Sequence, residues 1–475
     1  MNKTKIVCTI GPATSSEEAL RELHAVGMDM ARLNGSHADL DWHRGVIARL
    51  RKVLPTTPIL MDIPGRKIRT VQLKHEPSFR EGETIILTTD QSHDGTQKVP
   101  VNYANLHRDL AAGNTVLADD GTLKFTVEKV EGQDIHLRAE GDGTLRSRKG
   151  INVPFVNLQT APVTDRDRSM LAFCVENGVD YVGISFVESG AHVEEIKKVI
   201  GGASPRVVAK VENRGGLAHV DEIARVSDAL MIDRGDLSVE TSIEDVVLNQ
   251  KRVIEVARSH AKPVIVATEM LHTMIEQRFP TKAEVSDITN AVLDGCAATM
   301  LSGETAVGSY WRECVALMRS VVDKADAFQH PVAETAAKLE QRSQLPDAVE
   351  DAVALLCRQL PISKIVTISV SGFAAERISS RRPRQEIICA SNDPRTVRAT
   401  NLLHGTRGVF VDIPFSKTTT DHIPACLKAL FDQKEILPED LIIVIAVGYP
   451  KSGNRMNLIQ THVVSDLADT LGWVG

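Results

Sequence analysis

Short runs of aliphatic and β-branched residues, each closing on a polar residue or a glycine, recur through the first two thirds of the chain with helix-period segments between them. They are Lys5-Ile-Val-Cys-Thr-Ile10, Met28-Asp-Met-Ala-Arg-Leu-Asn34, Pro58-Ile-Leu-Met-Asp62, Asp180-Tyr-Val-Gly-Ile-Ser-Phe186, Val207-Val-Ala-Lys-Val-Glu212, Ala229-Leu-Met-Ile-Asp-Arg-Gly-Asp236, Pro263-Val-Ile-Val-Ala-Thr-Glu269 and Ala298-Thr-Met-Leu-Ser-Gly-Glu304. Eight strands alternating with helices predict a (β/α)8 TIM barrel, an α/β fold whose reactive side chains gather at the carboxyl ends of its parallel strands. Those ends carry Asn34, Asp62, Ser185, Lys210, Glu212, Asp236, Thr268 and Ser302.

The rhythm breaks once. Between Thr70 and Asn152 it gives way to short alternating segments, Glu83 to Thr88, Asn114 to Ala118, Lys124 to Glu128 and Asp134 to Arg138, separated by turns such as Asp119-Asp-Gly121 and Glu140-Gly-Asp-Gly143. A small antiparallel β-barrel lid inserted after the third barrel strand is expected. Beyond residue 335, with Gln341-Arg-Ser-Gln-Leu-Pro346 as a loop near its start, the runs Lys364 to Val370, Glu386 to Ala390, Gly408 to Val411 and Asp440 to Val447 alternate with helical segments and predict an open, mostly parallel α/β sheet. The expected domains are 1–70 with 153–335 (barrel), 71–152 (lid) and 336–475 (C-terminal, for effector binding or oligomerisation).

One barrel strand stands out, because two charges interrupt its apolar run. Lys210 and Glu212 are two residues apart and so face the same way, with Val208 behind them in the same register. They can form an internal ion pair, or join Asp236 from the next strand in a cluster that wants a metal as partner, since buried charge is costly.

Composition narrows the function classes. With 475 residues, 43% hydrophobic and 25% charged, the chain is long enough for two or three globular domains. A net charge of −7 leaves no basic footprint for nucleic acid, and no apolar stretch approaches the roughly 18 residues of a membrane span. The N-terminal run turns straight into Gly11-Pro12 without the pattern of a secretory leader, so a cytoplasmic protein is expected. Seven scattered cysteines without a CxxC pair predict neither disulfides nor zinc, and the fifteen histidines show no ligand spacing.

Along nearly its whole length the chain resembles the pyruvate kinase family. The resemblance is carried by Ala267-Thr-Glu-Met-Leu271, Pro280-Thr-Lys-Ala-Glu-Val-Ser-Asp-Ile-Thr-Asn-Ala-Val-Leu-Asp-Gly295, Met300-Leu-Ser-Gly-Glu-Thr305, Ala31-Arg-Leu-Asn-Gly-Ser-His37, Ala209-Lys-Val-Glu-Asn213 and Arg234-Gly-Asp-Leu237. It implies phosphoryl transfer between phosphoenolpyruvate and ADP, giving pyruvate and ATP, with Glu212 and Asp236 ligating Mg2+ or Mn2+. It further implies that Lys210 lies against the transferring phosphoryl group and the enolate, that Arg32 and Arg69 contact phosphate, and that Thr268 relays a proton. Gly235 lets backbone approach the substrate carboxylate, and Ser185 joins the substrate site. The family habit also implies a homotetramer.

The chain departs from the family in places. Asn34, Ser36 and Asp62 match its potassium site, but Ile63 stands where a threonine hydroxyl is usual and Lys67 replaces a glutamate. An ammonium near Asp62 would supply the charge of K+, so activity without K+ is expected. Gly35 stands in place of Phe, Asp233 of Ala and Ser238 of Gly, with consequences for turnover or substrate choice that the sequence leaves open. In the last domain Ser369, Ser371 and Gly372 open a helix in a manner suited to the phosphate of a sugar-phosphate or nucleotide effector, with Arg377, Arg381, Arg382 and Arg384 just beyond; a solvated arginine face is the competing reading. Two rival functions share the barrel: a metal-dependent aldolase or lyase acting on pyruvate enolates, and a non-catalytic regulator that binds phosphorylated metabolites.

Overall fold

The computed structural model describes residues 2–119, 121–154, 156, 158, 163–328, 345–416, 418–447 and 456–473. Eight parallel strands, Lys5–Thr9, Met30–Asn34, Ile59–Ile63, Tyr181–Ile184, Arg206–Val211, Ala229–Asp233, Val264–Ala267 and Ala298–Leu301, pair in chain order and close, the eighth on the first. Six lie within the predicted runs, and the other two extend one residue beyond theirs, to Ile63 and back to Arg206. Alternate residues divide between two cores. Val207, Ala209 and Val211 pack outward with the surrounding helices, whereas Val208 joins Val7, Met30, Leu60, Tyr181 and Met231 in the barrel interior. The inward rows do not stay apolar: toward the carboxyl edge they continue into Thr9, Arg32, Asp62, Gly183, Lys210 and Asp233.

Between Ile63 and the fourth barrel strand the chain leaves the barrel. A seven-stranded sheet runs from Ile68–Arg69 to Val99–Pro100 by way of Gly150–Asn152, Thr115–Ala118, Leu123–Glu131, Asp134–Ala139 and Thr84–Thr88, beside a small Ser78–Phe79 and Gly143–Thr144 ribbon. Its alternating strands turn Phe125, Val127, Ile135 and Leu137 onto a separate core. The unit rests on the barrel rim, where Asn152 Nδ2 donates to Glu240 Oε1 at 2.7 Å.

The C-terminal sheet has the order Thr406–Phe410, Glu386–Ser391, Lys364–Ile368, Leu441–Ala446, Leu458–Val463, the last strand antiparallel. That edge strand was absent from the sequence expectation, because a half-exposed edge needs no apolar run. Residues 341–344 of the expected loop and the 335/336 boundary lie outside the described residues. The domain docks on the amino-end floor of the barrel. Arg398 Nε meets Asp180 Oδ1 at 2.7 Å, the Tyr181 hydroxyl donates to the Ala399 carbonyl at 2.8 Å, and Ala399 and Leu402 join the barrel's interior cluster.

Candidate active site

One layer of the barrel interior is charged, with signs that alternate along consecutive inward rows. Arg32, Asp62, Lys210 and Asp233 are all buried, and glycine occupies position 183 between Asp62 and Lys210. A β-carbon on Gly183 would stand 2.0 Å from Asp62 Oδ1, so the carboxylate occupies the space a side chain there would fill. Arg32 donates to Asp62 Oδ2 from Nε at 3.0 Å and from its terminal nitrogen at 2.6 Å, and to Thr9 Oγ1 at 3.2 Å.

Lys210 Nζ is the hub. It lies 2.5 Å from Glu212 Oε1, 3.1 Å from Asp233 Oδ2 and 3.9 Å from Asp62 Oδ2, and donates to Ser185 Oγ at 3.3 Å. Burial would strip its proton, yet Glu212, Asp233 and Asp62 together hold its pKa well above the ordinary lysine value. Glu212 shows the reverse balance: burial lifts its carboxyl to about 7 against the pull of Lys210, with Asp236 and Asp233 adding to the rise. Asp236 is raised by burial and by Asp233, whereas at Asp233 Lys210 and Lys67 outweigh burial and hold the pKa low.

The Lys210–Glu212 ion pair is present, and Glu212 also belongs to a group of carboxylates that could hold a metal. Oxygens of Glu212, Asp233 and Asp236 lie within 4.8 Å of one another. Three buried carboxylates, one of them pushed to about 7 by burial, are a donor set suited to a hard divalent cation such as Mg2+ or Mn2+. Glu212 also accepts the Phe186 amide at 2.8 Å, which fixes its orientation. Asp236 does not end the sixth strand; that strand stops at Asp233, and Asp236 rides the first turn of the helix Arg234–Glu240.

Thr268 follows the seventh strand with φ at 68°, a left-handed conformation that a β-branched residue adopts only where its surroundings enforce it. Its hydroxyl accepts the Gly235 amide at 2.9 Å and lies 3.2 Å from Asp233 Oδ1 and 2.6 Å from the Ala267 carbonyl. At Gly235, where backbone was expected to approach a substrate carboxylate, the residue's own amide donates to Thr268. Arg69 reaches the Arg148 carbonyl of the lid at 3.1 Å, and Arg69, Arg32 and Arg148 lie close enough to His37 to join burial in lowering its pKa.

Lys67 is not where the potassium argument put it. Its ammonium bonds Asp236 Oδ1 at 2.5 Å, while Asp62 is paired by Arg32. Position in sequence alone does not reveal which carboxylate a long, flexible lysine side chain will meet. The Asn34 side-chain oxygen accepts the Ser36 amide at 3.1 Å. Gly35 also finds its reason: its amide donates to the Asp62 carbonyl at 2.8 Å, and a β-carbon there would fall 2.6 Å from the same oxygen. Ser238 Oγ donates to the Gly235 carbonyl at 2.9 Å.

At the opposite end of the barrel, Ser369 Oγ accepts the Gly372 amide at 3.0 Å and the Ser371 carbonyl accepts from Arg206, whose guanidinium also pairs with Glu376 at 2.5 Å. The arginines beyond do not form a solvated face. Arg377 pairs with Asp347 and Glu350, Arg381 with Glu350 and Asp351, and Arg382 with Asp326, leaving Arg384 exposed. Sequence reasoning overlooked Thr9 and Gly183; a glycine interrupting a buried strand was the available signal for the second.

A family model described as "Pyruvate kinase, barrel domain" matches residues 1–315, and one described as "Pyruvate kinase, alpha/beta domain" matches residues 347–462. The chain is similar to a pyruvate kinase of Bacillus licheniformis, 35% identical over 479 residues that cover 98% of this chain and 81% of the relative. It is equally similar to a pyruvate kinase of Clostridium perfringens, 35% identical with 95% of this chain and 97% of the relative covered. Among solved structures, a pyruvate kinase from Cryptosporidium parvum superposes with a TM-score of 0.87 at 29% identity, covering 98% of this chain and 96% of that one.

Proposed function

The chain belongs to the pyruvate kinase family, a family of phosphotransferases, and we propose that it moves the phosphoryl group of phosphoenolpyruvate to ADP, giving pyruvate and ATP. The observation that carries this reading is Lys210 held among Glu212, Asp233 and Ser185 at the carboxyl edge of the barrel. A charge that neighbouring carboxylates keep permanently protonated suits a group whose work is electrostatic, neutralising the phosphoryl oxygens and the enolate left behind. Arg32, rigid on Asp62 and Thr9, adds a second fixed cation. Thr268 is hydrogen-bonded to Asp233 and Gly235, and a threonine hydroxyl is too weak an acid to act alone, so it serves as a relay that hands a proton to the enolate.

Glu212, Asp233 and Asp236 would hold the Mg2+ or Mn2+. When bound, the metal supplies positive charge for the substrate oxygens. Activity without K+ is part of the proposal. It is supported by Ile63, which has no hydroxyl to offer, and by Arg32, which already neutralises Asp62. The homotetramer is likewise proposed; large apolar side chains exposed on the barrel, Ile243 at 74% and Phe279 at 75%, support self-association. The pyruvate kinases that match almost the full length leave the aldolase and regulator readings unsupported.

The test is pyruvate formation from phosphoenolpyruvate, ADP and Mg2+, run in Na+ and in K+. Turnover in both salts, lost in Lys210→Met, is expected. Absence of ADP-dependent pyruvate overturns the function, and a strict need for K+ overturns the monovalent-cation part.

A further inference from the structure

Lys67 lies on the four-residue hinge, 64–67, that joins the third barrel strand to the first lid strand. Its neighbours on that hinge are tied elsewhere: the Gly65 amide to Asp167 Oδ1 at 3.2 Å, and Arg66 to Glu188 at 2.7 Å. The Lys67 stem crosses to the barrel along a prepared path. A β-carbon on Gly150 would come within 3.2 Å of Lys67 Cε, so the absence of a side chain there makes the room, and the ammonium stands 5.8 Å from the centre of the Phe186 ring before reaching Asp236. Both side chains of the pair are nearly buried, at 13% and 11% exposure.

The three carboxylates thus share two ammoniums. Lys210 serves Glu212 and Asp233, and Lys67 serves Asp236. A divalent cation entering the same three oxygens meets both ammoniums, but Lys210 is shared among Glu212, Asp233 and Asp62, whereas Lys67 has its ion pair with Asp236 alone among the described residues, so the coulombic repulsion of an incoming metal falls on a lysine held by one acid. We propose that Lys67 is a built-in competitor for the metal: it occupies Asp236 while no metal is bound, and metal loading expels it and releases that point of the lid hinge. The inference rests on the reading of Glu212, Asp233 and Asp236 as the metal site.

Mn2+ binding without any substrate, followed by the electron paramagnetic resonance signal of the free ion, tests it separately from turnover. Lys67→Met and Lys67→Gln should each bind Mn2+ about tenfold more tightly than the unaltered protein, the scale of losing one charged hydrogen bond that competes. Arg66→Gln, which removes a hinge cation bound to a different acid, should stay within about twofold. A second readout separates displacement from a general field effect. Amine acetylation located by mass spectrometry should be slow at Lys67 without Mn2+ and faster with it. Unchanged or weaker Mn2+ affinity in either Lys67 variant overturns the proposal, as does acetylation that Mn2+ slows or leaves unchanged. Failure of every form to bind Mn2+ overturns it together with the metal site, whereas the pyruvate assay judges the function independently.

Discussion

The Thr268 hydroxyl accepts the Gly235 amide at 2.9 Å, which ties the end of the seventh strand to the helix that carries Asp236. The side chain proposed to pass a proton is thereby fixed against the carboxylate cluster, on a backbone strained at φ 68°. Thr268→Ala should lower kcat by about 10²- to 10³-fold with little change in KM, as loss of a positioned proton donor does. Steady-state kinetics check this; a kcat within about threefold of the original would remove Thr268 from the proton path.

Gly183 offers a sharper steric test. Because its missing side chain is the space that Asp62 fills at 2.0 Å, Gly183→Ala should push Asp62 away and loosen Arg32. Activity should fall by about 10²-fold or more while the barrel still folds, since displaced positioning groups cost on that scale. Circular dichroism alongside the assay distinguishes this from unfolding.

Asp233 is the departure with an electrostatic role. Asp233→Ala removes one of the three carboxylates proposed to hold the metal and one of Lys210's partners. Mn2+ affinity should weaken by about tenfold, comparable to the loss of one charged ligand contact. Calorimetric titration measures it, and unaltered affinity would show that Glu212 and Asp236 suffice.

The floor of the barrel carries a pH dependence of its own. Asp326 accepts the Thr4 amide at 2.8 Å and faces His404 Nε2 and Arg382 at 3.4 Å. Burial, then Arg382, pushes the His404 imidazole down to about 3, while at Asp326 the bonds from His404 and Thr4 and the Arg382 charge override burial and hold the carboxyl at about 2. Both shifts act in one direction. The unfolded chain takes up a proton on His404 near 6.5 and on Asp326 near 3.8, before the folded one does, so stability present at neutral pH is lost as pH falls through those windows. By about pH 5 the histidine alone should account for about 2 kcal/mol. Thermal melts should show a smaller drop between neutral pH and pH 5 in His404→Gln than in the unaltered protein.

Strand positions were legible because buried barrel strands must be short, apolar and evenly spaced, and the charges of Lys210 and Glu212 were legible because they break that rule. What period and composition do not encode is reach. Lys67 spans from the lid hinge to Asp236 and Asp62 is claimed by Arg32, choices settled by the room that Gly150 and Gly183 leave. The edge strand Leu458–Val463 was illegible for a related reason, since a half-solvated strand has no need of the pattern that betrays the others.

Ala399 and Leu402 also make the barrel dependent on a later part of the chain. The barrel strands end at Leu301, but the interior they enclose is finished by two residues about a hundred positions later in the chain. Without that later segment, Met30, Leu60 and Tyr181 would face an opening where those side chains belong. The last domain thus supplies part of the barrel's own core, and removing it would leave the barrel with an uncovered apolar mouth.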